Sequence, residues 1–373
     1  MGRLSSALDD RDVRLARVRS QRLAGERPAD VHAAVRGVFA IQAQETRAAR
    51  LAVRPRSTGV EAAAVVRACN EERSVVRTWA MRGTLHMIAA EDLGWLIGLL
   101  RPPAGAVSSR QRELGLDERT LSRALPLIDR ILGASGPLTR AELVARLADL
   151  GLSIDARSQA PAHMLFFAAR QGLICRGPDR AGDEPTYVLV ERWVGTQTEL
   201  GTEAAAAELA RRYLRAYGPA GLADLTYWAG IPRPLARRAL ELVAHEFEEV
   251  SVGGATAWID PSALPESLEQ REPHVRLLPR YDAYLLGYRS RELALEPRFA
   301  RRIQAGGGVI HPTVTVDGRV VGTWRQGARR TLLVVTVEAF ERLDRPVMPG
   351  LEREVADLGR FQGMDATLST TQS

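Results

Sequence analysis

Ser135-Gly136-Pro137-Leu138-Thr139-Arg140-Ala141-Glu142-Leu143 is the stretch on which the reading of the fold turns. Gly136-Pro137 interrupts any regular element, and Thr139 followed three residues on by Glu142 has the spacing of a capping box, which satisfies otherwise orphaned N–H groups at a helix start. The stretch predicts a boundary near residue 135 and a new helix after it. Downstream, residues 161–171 carry Met164, Leu165, Phe166 and Ala168 and stop at Gly172, and residues 173–176 and 186–190 read as two strands around a polar loop. Helix, helix, hairpin is the order of a winged helix-turn-helix module.

The order returns. Tyr217-Gly218-Pro219 stands 82 residues (217 − 135) after Ser135-Gly136-Pro137 and is followed by helices expected at 222–229 and 234–246 and a hairpin at 247–251 and 255–259 around Gly253-Gly254. Working toward the N-terminus, helices are expected at 13–23, 28–39 and 60–70, then a β-rich run over 74–88 that turns at Arg82-Gly83, which makes a looser first copy. Helices at 92–100 and 118–132, separated by Arg101-Pro102-Pro103, join it to the second copy. Past Pro261 come short β-like runs at 275–278, 313–316, 320–324 and 331–337, with Asp317-Gly318 as a strong hairpin signal. Helices at 337–343 and 350–361 and a loose tail from 365 to 373 complete the chain. The expected fold is α+β, mostly helical, with three tandem winged-helix modules in an arc and a C-terminal β-rich domain. The divisions are 1–135, 136–195, 196–260 and 261–373.

The 373 residues hold 51 basic and 45 acidic side chains, a net charge of +6 that favours a polyanionic partner without requiring one. Every basic side chain is arginine, whose planar fork binds phosphate bidentately. GC-rich coding accounts for that bias better than selection for binding does. The absence of lysine still excludes Schiff-base catalysis except through the N-terminus. Cys69 and Cys175 form neither a disulfide framework nor a metal pair, which suits a reducing cytoplasm. The N-terminal 22 residues alternate in charge, unlike a signal peptide, and no run is long enough to span a membrane. His32, His86, His163, His245, His274 and His311 show no ligand spacing, and there is no GxSxG, P-loop or GxGxxG, so neither metal nor cofactor is expected.

Gln42-Ala43-Gln44 follows the apolar end of the second helix. On a continuous helix two residues two apart point about 200° from each other, so a shared target requires a break or extended geometry. Two solvated amides at a helix end is the ordinary alternative. Arg82, His86, Arg319 and Arg325, on or beside the hairpins, are candidates for phosphate or groove contacts, each with a plain surface charge as its alternative. Trp79 and Trp324 read as core residues, Gly306-Gly307-Gly308 as a flexible loop, and Tyr281-Asp282 as a structural turn, the alternative being a carboxylate brought to the site.

Three segments together, Gln42-Ala43-Gln44 after an apolar helix, the hairpin Thr78-Trp79-Ala80-Met81-Arg82-Gly83-Thr84-Leu85-His86 and the hairpin Val316-Asp317-Gly318-Arg319-Val320-Val321-Gly322-Thr323-Trp324, resemble the AlkZ and YcaQ family of winged-helix bacterial DNA glycosylases over nearly the whole chain. The resemblance implies that the Gln-x-Gln form carries the chemistry, with Gln42 and Gln44 in the two catalytic places. It implies N7-alkylguanine removal, unhooking of interstrand crosslinks, and self-resistance in a producer of a DNA-alkylating natural product. A base alkylated at N7 is cationic and already a good leaving group, so what remains is to orient water and support positive charge on the sugar. Gln44 is expected to position the water, and Gln42 to support the sugar cation or the water. The expected protein is a cytoplasmic, monomeric, metal-independent DNA glycosylase acting on double-stranded DNA with alkylated or crosslinked bases. The alternatives are a non-catalytic winged-helix DNA-binding regulator and a protein-binding scaffold.

Overall fold

The computed structural model describes residues 6–103, 105–264 and 272–372. The first five residues of the expected first module and the last residue of the expected tail lie outside them. Helix accounts for 49% and strand for 20%, so the chain is a mixed helix and sheet protein, not a helical repeat. It divides into two compact units, Met1–Val66 with Ala206–Ser373, and Arg67–Ala205.

In the continuous unit the capping box forms as its spacing demands: the Thr139 hydroxyl accepts from the Glu142 N–H and the Glu142 carboxylate accepts from the Thr139 N–H. The Thr139 amide and the Arg180 guanidinium together hold the Glu142 carboxyl down to about 2. The helix it starts, Arg140–Asp149, is followed by Ala160–Arg170 and by the antiparallel pair Ile174–Arg176 and Thr186–Leu189. The long helix Glu118–Ser135 packs Leu121, Ile128 and Leu132 against Leu143, Leu147 and Leu165. Val75–Trp79 and Leu85–Ala89 pair antiparallel, and the first of them joins Ile174–Arg176 through Arg77 and Arg176. Trp79 is a packing residue here, stacked parallel to Tyr187 at 6.4 Å.

The discontinuous unit holds a five-stranded sheet, Val275–Leu278, Thr313–Val316, Arg319–Arg329, Leu332–Ala339 and Asp365–Gln372 in spatial order. Asp317 and Gly318 both take positive φ, the twist a two-residue hairpin needs. The helix Met348–Gln362 covers the sheet, placing Leu351, Val355 and Leu358 on Leu277, Val335 and Val337. Its approach is close enough that a Cβ on Gly350 would lie 2.5 Å from the Val275 side chain. A smaller sheet pairs Ser6–Ala7 parallel to Glu248–Val252, which pairs with Ala255–Ile259.

Two expectations at the C-terminus need correction. Residues 365–372 are not a loose tail but a strand lying parallel to Leu332–Ala339. The segment is polar because it needs no apolar signal of its own: the helix before it returns the chain to an open sheet edge, whose backbone supplies the partner groups. Residues 337–343 are not a helix; Val337–Ala339 end a strand and the chain then bends. Two helices of eight or more residues, Thr46–Val53 and Thr202–Tyr217, have no counterpart among the expected elements.

Just after Thr46–Val53 the chain buries two guanidinium groups completely, Arg54 and Arg56. Arg54 donates to Glu354 and Asp357 at 2.8 Å each and to the Leu277 carbonyl at 2.9 Å. Burial works against its charge, and the two carboxylates more than offset that, so the guanidinium is held above its ordinary value. Arg56 donates to both Asp282 oxygens at 2.6 and 2.8 Å, to the Ala52 carbonyl and to Gln21. Asp282 thus belongs to the turn, as read, and serves the interior. Removing one member of a buried pair strands the other charge, so Asp282→Ala should lower unfolding stability by about 3–5 kcal/mol in denaturant titrations, whereas joint replacement by Arg56→Met and Asp282→Leu should cost far less. Equal losses in the two variants would show the pair to be incidental.

Candidate active site

The helix Val31–Val38 is capped at its start by Asp30, whose carboxylate accepts from the Ala33 N–H at 2.7 Å. It is stopped abruptly. Phe39 takes φ +65 and ψ −46, and the Ala40 N–H bonds back to the Val38 carbonyl at 2.8 Å, a γ-turn of the rare, strained kind. A bulky residue in that region costs on the order of 1–3 kcal/mol and persists only where its surroundings impose it. Phe39 is fully buried with its ring 5.6 Å from that of Trp228, and Tyr217 donates to the Ala40 carbonyl at 3.4 Å.

Past that turn Ile41–Gln42 is a short strand, and the chain bends at Gln44 and Glu45. Ile41 and Ala43 are buried while Gln42 is half-buried and Gln44 exposed, the alternation of a strand, so the two amides lie on one side. The Gln42 amide nitrogen donates to the Gln44 side-chain oxygen at 2.8 Å. A shared target required a break or extended geometry, and the chain has left the helix before Gln42. Glu45 follows, then the helix Thr46–Val53, whose Arg54 and Arg56 anchors have been described.

A cavity of about 720 Å³ opens at Glu45. Its walls come from Ala48 and Leu51 of that helix, from Trp324 and Thr336 on the long hairpin, and from Phe361 of the C-terminal helix. Glu45 and Arg280 form an ion pair at 3.1 Å, and Arg302 and Glu338 another at 2.5 Å. The Trp324 ring is 5% exposed and its N–H donates to the Leu278 carbonyl at 2.8 Å, so it is structural, as read.

The other expected site residues fare differently. Arg325 is exposed and lines this cavity. Arg319 is exposed but ion-paired with Glu296, and it stands beside the Asp317-Gly318 turn, away from the cavity lining. Arg82 is exposed at the tip of the first hairpin with φ +53. His86 is a correction: it is 3% exposed, its Nδ1 lies 2.9 Å from the Thr84 carbonyl, and it packs in the interior, where it has no access to a nucleic acid. Glu45, Arg280, Arg302 and Glu338 were not singled out from the sequence. Their pairings span up to 235 residues, and local patterns carry no signal of that. Among the described residues no group of three or more His, Cys, Asp or Glu is placed to hold a metal, and no helix is long and apolar enough to cross a membrane.

A family model described as DNA glycosylase AlkZ-like matches residues 35–361. The interstrand DNA cross-link repair glycosylase of Streptomyces sahachiroi is 31% identical over 336 residues, covering 87% of this chain and 88% of that protein. The solved structure of the Streptomyces sahachiroi DNA glycosylase AlkZ superposes with a TM-score of 0.81 at 27% identity, over 98% of this chain and all of that one.

Burial, slightly offset by the Thr84 carbonyl, pushes the His86 imidazole down from 6.5 to about 4. The unfolded chain therefore binds a proton that the folded chain refuses between these values, and stability falls as pH drops through that window, by up to about 3 kcal/mol. His86→Gln, which cannot titrate, should flatten the decline in unfolding free energy between pH 6.5 and pH 4 without changing the response above pH 7. An unaltered slope would mean that other groups govern the acid limb.

Proposed function

The chain belongs to the AlkZ-like DNA glycosylase family, and from that premise we propose that it is a monofunctional hydrolase of the N-glycosidic bond of N7-alkylated purines, unhooking interstrand crosslinks among them. The observation that carries the reading is the hydrogen bond between Gln42 and Gln44 on one side of the chain. It orients both amides before substrate arrives, which is the condition for electrostatic catalysis by neutral dipoles. Gln44, the exposed member, positions the attacking water; Gln42 supports the sugar cation or the water. The base departs with the electrons of its bond to C1′, which neutralises its own positive charge, and water oxygen takes its place at C1′ with loss of a proton to solvent. A carboxylic acid to protonate the leaving group is unnecessary for such a base, and the chain has no lysine to divert the product into a Schiff base.

Three helix, helix, hairpin series support a tandem winged-helix reading: Val31–Val38 and Ala62–Asn70 before Val75–Trp79 and Leu85–Ala89; Arg140–Asp149 and Ala160–Arg170 before Ile174–Arg176 and Thr186–Leu189; Leu222–Ala229 and Arg233–Val243 before Glu248–Val252 and Ala255–Ile259. We assign modules at 1–135, 136–195 and 196–260, with 261–373 as the β-rich domain. The partner is duplex DNA carrying alkylated or crosslinked bases, bound by a cytoplasmic monomer. Arg82 and Arg325 remain candidate DNA contacts, Arg319 would have to leave Glu296, and the exposed Arg329 and Arg330 at the end of the long hairpin join them.

The decisive test is release of 7-methylguanine from methylated duplex DNA. Gln42→Ala and Gln44→Ala should each cut it by about 100-fold or more with binding unchanged; binding without release, on monoadduct and crosslinked DNA alike, would make the protein a regulator. Arg325→Ala and Arg329→Ala should each reduce the slope of log affinity against log salt by about one, and a slope equal to wild type would remove that residue from the interface.

A further inference from the structure

We propose that the cavity beside Glu45 binds the non-base part of the lesion: the remainder of the alkylating agent, a group of drug size with an apolar ring body and an acidic or hydrogen-bond-accepting edge. The proposal rests on the glycosylase reading and names what that site accepts beyond the base.

The volume argues first. About 720 Å³ is the size of a small-molecule site, and a methyl adduct has no use for it. The walls argue second. Leu51, Trp324, Pro312 and Phe361 supply apolar surface, while Arg280 and Arg302 stand as guanidinium groups held in place by Glu45 and Glu338. Five arginines and two glutamates line the cavity, a balance of 5 − 2 = +3 that favours an anionic or accepting edge over a cationic tail. Preorganisation argues third. The Trp324 ring is fixed through its N–H, and the Gln362 amide donates to Gln326 at 2.8 Å across the far rim, so binding does not require ordering those side chains. Position argues last. Glu45, which lines the opening, is the residue after Gln44, one Cα step of about 3.8 Å away where the chain bends, so a substituent on N7 of a base held at the glutamines has a short reach to the opening. A backbone phosphate satisfies the charge but leaves an apolar concavity of this size unused.

Ala62 and Thr336 line the cavity and are both half-buried, so Ala62→Phe and Thr336→Phe fill it from the walls without touching the glutamines, and melting curves confirm each fold. Duplexes carrying N7-methylguanine or N7-(4-carboxybenzyl)guanine are the substrates, and quenching of tryptophan fluorescence by free 7-(4-carboxybenzyl)guanine is a second readout that needs no catalysis. Both variants should release 7-methylguanine within twofold of wild type, release the carboxybenzyl base at least tenfold more slowly, and bind the free carboxybenzyl base at least tenfold more weakly. Equal losses on the two adducts, no loss on either, or a tenfold fall in affinity for undamaged duplex, which would mark a phosphate seat, each overturn the proposal. Should wild type release neither base, the glycosylase reading fails, and the free-base titration alone then decides: quenching that the filled variants abolish sustains the cavity assignment, and no quenching ends it.

Discussion

The burial of Arg54 and Arg56 in the single 3-10 turn after the helix Thr46–Val53 is the constraint on which the site depends. A guanidinium out of water is tolerable only when its charge is paired, and each finds acidic partners more than 200 residues away in sequence: Glu354 and Asp357 for one, Asp282 for the other. The helix whose start carries Glu45 is thereby locked to the C-terminal helix and to the turn at Pro279–Tyr284. The strand that begins the five-stranded sheet is drawn into the same lock, since its Leu277 N–H donates to Glu354 while its carbonyl accepts from Arg54.

At the other end of the motif the constraint is strain. Phe39 is held in a γ-turn that a free chain avoids, and the cluster of Phe39, Trp228, Tyr213 and Tyr217 holds it there. The segment between the strained turn and the anchored helix has little freedom, and it is the segment that presents the glutamines. A pair of neutral amides is a weak catalyst when mobile and an adequate one when its dipoles are already aimed at a developing cation. Rigidity on both flanks is the physical condition that the catalytic role proposed for the two glutamines requires.

The long hairpin does two jobs with one alternation. Val335 and Val337 face the core, while Thr336 and Glu338 face the cavity, a period of two that was visible in the sequence as a strand signal but not as a wall. At the C-terminus the helix Met348–Gln362 returns the chain to the open edge of that hairpin, which is how a threonine-rich segment becomes a strand.

By itself the sequence determined the series of helices and hairpins, because caps, turns and apolar periods are local: Thr139 with Glu142, Asp317 with Gly318, and each Gly-Pro break are legible within ten residues. It also determined the absence of lysine, and through the Gln-x-Gln segment and two hairpins it displayed the family resemblance. Only the tertiary structure decided that Gln42 and Gln44 share a face, since that rests on a backbone state at Phe39 that its aromatic neighbours impose. Only the tertiary structure took His86 out of reach and built a cavity from residues 45 to 362, because burial and long-range ion pairing are sums over neighbours that no local pattern of residues records.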